Sequence, residues 1–86
     1  MNLVKVCWLD ANHDEEDLPE HQLDSLKPAR FQTVGILLVE NAEVVKVAGS
    51  WCPDEETGRP VYRDTLVIPR ACVVSIERLR EVQDAA

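Results

Sequence analysis

The stretch FQTVGILLVE-NAE-VVKVAGSW, Phe31 to Trp51, decides the fold. Its first part, Phe31 to Val39, closes on Val34-Gly35-Ile36-Leu37-Leu38-Val39, apolar on both faces, the pattern of a strand covered from two sides. Glu40-Asn41-Ala42-Glu43 then reads as a tight turn, because Asn41 tolerates a positive φ at little cost. From Val44 to Trp51 the side chains alternate, with Val45, Val47 and Trp51 on one face and Lys46 and Ser50 on the other. Branched Cβ atoms favour a pleated surface and stiffen a helix, so this segment predicts two antiparallel strands.

Working outward, the same alternation recurs upstream from Leu3 to Leu9, where Val4, Val6 and Trp8 oppose Lys5 and Cys7. Downstream, Cys52 to Pro60 is a loop of Pro, Asp, Glu and Gly. Val61 to Ile68 predicts a fourth strand, Pro69 removes a ladder donor and breaks it, and Cys72, Val74 and Ile76 alternate in a fifth. The predicted strands are 3–9, 31–39, 43–51, 61–68 and 72–78 in one domain over residues 1–80, with a polar tail at 81–86.

Residues 10–30 differ in kind, with seven acids preceding the first base at Lys27. Within them Leu18 to Leu26 predicts a short helix: Asp17 and Glu20 have capping-box spacing, Pro19 sits in the first turn, and Pro28 ends it. Leu23 and Leu26 share a face and are expected to pin this long acidic loop. Meandering antiparallel strands of this length hide their edges best by closing. The expected fold is therefore all-β, a five-stranded SH3-like small barrel with a one-turn corner at Pro69.

A chain of 86 residues holds a single small core. The formal charge of −7 opposes roles that depend on neutralising phosphates, and the nine Lys and Arg residues never form a run. The cysteines Cys7, Cys52 and Cys72 show no pairing pattern, which suits a reducing compartment. Neither a signal peptide nor an apolar run of membrane-spanning length is read, so a cytoplasmic location is expected, in the host cell if the chain is phage-derived.

Two stretches resemble the motifs of Sm-like proteins. Gly35-Ile36-Leu37, followed by Asn41 and Val44-Val45, is similar to the first motif, and Ile68-Pro69-Arg70-Ala71-Cys72-Val73-Val74-Ser75-Ile76 is similar to the second. With Trp8-Leu9-Asp10, the chain looks like small Sm-like proteins of phage or prophage type, over roughly residues 31 to 79. The resemblance implies a homo-oligomeric barrel, ring-shaped in the family, in which strand four of one subunit pairs with strand five of the next. Leu66, Ile68, Val73 and Ser75 are then candidate oligomer-interface residues. It also implies a nucleic-acid or partner contact at Asn41 and Arg70, but the pattern departs there. Asn41 stands where the family has Asp, Val45 where it has a base-contacting Asn, and Pro69 where it has Arg, with Arg70 displaced by one. The helix that precedes the family's first strand is missing too, and an acidic insert follows that strand instead.

Other candidates have plainer readings. His13 and His21, with Asp14 or Asp17, have no standard zinc spacing and read as solvated, as do the acid pairs Asp14/Asp17 and Asp54/Glu56. Cys72 beside Arg70 reads as a buried structural thiol, and Trp8 and Trp51 as core rather than a recognition shelf. No cofactor or metal is expected. The function expected is a non-enzymatic structural or protein-interaction module that binds itself and an unidentified protein. The alternative is an RNA-binding module that gathers Arg63, Arg70, Arg78 and Arg80 on assembly.

Overall fold

The computed structural model describes residues 2–13 and 15–80. The expected tail 81–86 and Asp14 lie outside the described residues. Five strands form one antiparallel sheet: β1 (Leu3–Asp10), β2 (Ala29–Glu40), β3 (Val44–Pro53), β4 (Pro60–Pro69) and β5 (Val73–Arg78), in the order β4-β3-β2-β1-β5. All five expected strands are present, each within two residues of its expected ends.

The sheet is strongly curled. Laid flat, four inter-strand steps would put β4 about 19 Å from β5. The chain from Pro69 to Val73 spans at most about 14 Å. It crosses that corner in one 3₁₀ turn, Arg70–Cys72, as the sequence led us to expect. Val4 and Val6 of β1, Val45 and Val47 of β3 and Ile68 of β4 meet in one buried cluster. Trp8, Leu37, Leu66, Cys72, Val73 and Ile76 pack against it, so all five strands contribute. No hydrogen-bonded ladder joins β4 to β5 among the described residues, and the sheet is open there.

The curl originates in β2. Its first half, from Ala29 to Ile36, pairs with β1, and its second, from Ile36 to Glu40, pairs with β3. A Cβ placed on Gly35 would lie 2.5 Å from the carbonyl oxygen of Ala48, so only glycine lets the β3 backbone pass this closely. Beyond Ala48, β3 has no β2 partner, and its last residues pair with β4 alone as a two-stranded ribbon, with Trp51 opposite Tyr62 and Cys52 opposite Val61. Trp51 is accordingly 43% exposed rather than in the core, which corrects the sequence reading: its face is right, but the core ends before it. Trp8 is half-buried, stacks on Phe31 with ring centroids 5.1 Å apart and donates its indole N–H to Thr33 Oγ1 at 3.0 Å.

Two further expectations are corrected. The short helix is a 3₁₀ segment, Glu20–Ser25, with Pro19 at its N-cap and no side-chain cap, so the capping-box spacing of Asp17 and Glu20 is not used. Leu23 and Leu26 are exposed and pin nothing: with Pro28 so close, two apolar side chains do not cover the cost of ordering an acidic segment. Cys72 is half-buried against the core and is not fully enclosed.

Replacing Gly35 by Ala is expected to destabilise the fold by about 2 kcal/mol or more, because the clash is with backbone and cannot be relieved by a rotamer change. A urea midpoint unchanged from that of the parent chain would refute this account of the bend.

Candidate functional site

The sequence points first to two places that can meet another molecule: the turn between β2 and β3, where Asn41 and Arg70 were expected to act, and the edges of β4 and β5. At the turn, the Asn41 side-chain oxygen accepts the backbone N–H groups of Glu43 at 2.8 Å and Val44 at 2.9 Å. The Arg70 backbone N–H reaches the Glu43 carbonyl at 2.8 Å, so the corner before β5 is fastened to this turn. The structure thus brings Asn41 and Arg70 to one place.

Both are occupied there. Glu40, at the end of β2, takes Arg70 on Oε2 and Arg78 on Oε1, each at 3.2 Å, and Arg78 also donates to the Asn2 side-chain oxygen at 3.3 Å. One carboxylate thereby ties the end of β2 to the corner and to β5. Val45, at the position where a base-contacting side chain was sought, is fully buried in the core. Sequence reading missed Glu40, because its two partners lie 30 and 38 residues away and no local spacing marks them.

The edges behave differently. Leu66, Ile68 and Val73, named for their place on the edge strands, turn their side chains into the core, and only Ser75 among the four is exposed. What the edges present outward is backbone together with Val67 on β4, 52% exposed, and Val74 on β5, 48% exposed. Val74 sits at the irregularity where β5 slips past β1, between the pairs Cys7 with Ser75 and Trp8 with Val73. The runs Thr65–Ile68 and Val73–Ile76 carry no charge. Charges are a usual protection of free edges, and these two runs lack it.

The remaining candidates stay apart. His13 lies 3.7 Å from Glu15, both almost fully exposed, and no group of three metal-ligating side chains gathers among the described residues. Arg63 lies on the ribbon, far along β4 from the corner that holds Arg70. No helix among the described residues is long and apolar enough to cross a membrane. No family model, curated protein or solved structure matches the chain.

Two expectations follow from the turn. Asn41→Ala leaves two N–H groups to water and should cost about 1 kcal/mol by urea unfolding. A labelled oligouridine at physiological salt should show no sub-micromolar binding by fluorescence anisotropy, since Glu40 engages both Arg70 and Arg78 and the chain carries −7. Tight binding abolished by Arg70→Ala would establish the nucleic-acid reading instead.

Proposed function

We propose that the chain is a non-enzymatic assembly module, a small SH3-like barrel of Sm-like type that binds further copies of itself by pairing β4 of one copy with β5 of the next. The observation that carries this reading is the pair of uncharged free edges on a sheet that curls without closing. Side chains behind those edges are already packed inward, so a second copy would add backbone hydrogen bonds and cover Val67 and Val74 without rearranging the core. Copies related by a rotation that closes leave no loose edge, which favours a ring.

The competing arrangement, a monomer whose acidic segment folds over the open face, fits poorly with the exposure of Leu23 and Leu26. On the resemblance to Sm-like chains, the proposed setting is a phage or prophage one inside the host cell, with another protein as a further partner.

Light scattering coupled to size exclusion should return a mass of several chains, and Val67→Lys with Val74→Lys should reduce it to one while circular dichroism stays unchanged. A single-chain mass for the unmodified protein over a broad concentration range would end this proposal.

A further inference from the structure

Beyond Ala48, the ribbon pairs with no third strand among the described residues. A two-stranded hairpin with no third strand is marginal in water by itself. It nonetheless carries two large exposed aromatic side chains: Trp51 and Tyr62 stand directly opposite each other, each 43% exposed. Their rings do not stack on one another, and neither the indole N–H nor the phenol hydroxyl has a partner among the described residues. A groove of about 240 Å³ runs along them, lined by Ser50, Trp51, Cys52, Val61, Tyr62 and Arg63.

Arg63 is the charged residue of that lining; the next residue of β4, Asp64, lies outside it, in a left-handed conformation, φ 56°, inside the strand. Its Cβ lies 3.2 Å and its Oδ2 3.7 Å from the point where a side chain of Gly49 would begin. Gly49 shares its face with Trp51, two residues on, so the carboxylate leans into the space that glycine vacates, on the aromatic side. No ion pair or hydrogen bond engages it among the described residues. A carboxylate beside two unstacked aromatic faces is a receptacle for a cationic side chain, which the rings attract through their quadrupoles and the carboxylate through charge.

We propose that this ribbon binds an extended, basic segment of another protein, added as a strand to the free β3 edge over Gly49–Cys52 with its Arg or Lys side chains over Trp51, Tyr62 and Asp64. Alternate residues of an added strand fall on one face, so a basic-apolar alternation matches the ribbon. Charge selects this occupant over a second copy. The ribbon and its turn hold Asp54, Glu55, Glu56 and Asp64 against Arg59 and Arg63, and every copy of the chain carries −7. The proposal is independent of self-assembly, which uses the uncharged inner half of β4 and β5.

The probe is a capped nonapeptide alternating Val and Arg, with its Val and Glu counterpart as control, titrated into the ¹⁵N-labelled full chain. The Trp51 indole N–H signal should move with the Arg peptide, while that of Trp8, held by Thr33, stays in place. Asp64→Asn and Tyr62→Ala should each weaken binding about fivefold or more, with other amide signals and the oligomer mass unchanged. Equal binding of the Glu peptide, absence of binding by either, or full affinity in Asp64→Asn would overturn the proposal. A Trp51 signal that moves with protein concentration alone would overturn it in favour of a second copy.

Discussion

The close passage of the Ala48 carbonyl over Gly35 is the constraint on which the rest of the structure depends. It lets one twelve-residue strand serve two partners in succession, β1 along its first half and β3 along its second. Because the strand turns there, the halves of the sheet face each other and Val4, Val6, Val45, Val47 and Ile68 enclose a core without help from a helix. The same turn deprives β3 of a neighbour after Ala48. The buried centre and the bare ribbon are two results of one bend.

A core this small leaves little margin. Among the described residues eight are buried hydrophobics, and none of these is aromatic. Short chains bury a small share of their surface, so much of the rim is left to polar contacts. Glu40 supplies that fastening at one end by holding Arg70 and Arg78, while Asn41 shapes the turn beside it. Lys5 and Glu77, opposite each other on β1 and β5, add a further pair at 3.1 Å. Each such exposed pair is worth less than about 1 kcal/mol. Together they set geometry more than they add stability: they hold β5 and the corner so that the β5 edge is presented in one orientation.

The strands were legible in the sequence because β-branched residues at period two leave few alternatives, and the prolines and acids that separate them are strong punctuation. The curl was only half legible. Gly35 stands out among apolar residues on both faces, but its consequence for Trp51 depends on where β2 stops accompanying β3, and alternation alone does not report that. The same limit governs the edge residues. Leu66, Ile68 and Val73 belong to the edge strands, yet whether a side chain on an edge strand points to the core or away depends on register, which a slip at Val74 shifts by one residue. The acidic segment failed differently. Helix capping signals are local, and they prevail only when an apolar face is buried behind them; Leu23 and Leu26 find none.

Charge divides the surface in a way the fold explains. The acids collect where backbone is irregular, in residues 10–24 and in the turn after Pro53, while the inner edges of β4 and β5 are neutral. Carboxylates in the irregular segments keep like molecules apart at distances up to the screening length, about 8 Å at physiological salt. Neutral backbone edges attract only on contact and only in register. At −7, the long-range interaction of the chain with its own kind is repulsive, and any pairing of the proposed kind would be confined to two strands. Neutral strands left unguarded in a uniformly neutral protein would extend into open stacks of sheets. Repulsion between acidic loops disfavours approaches that bring those loops together. If copies pair as proposed, selectivity for ordered assembly over aggregation would follow from where the acids are, since the edges themselves carry no gatekeeping charge.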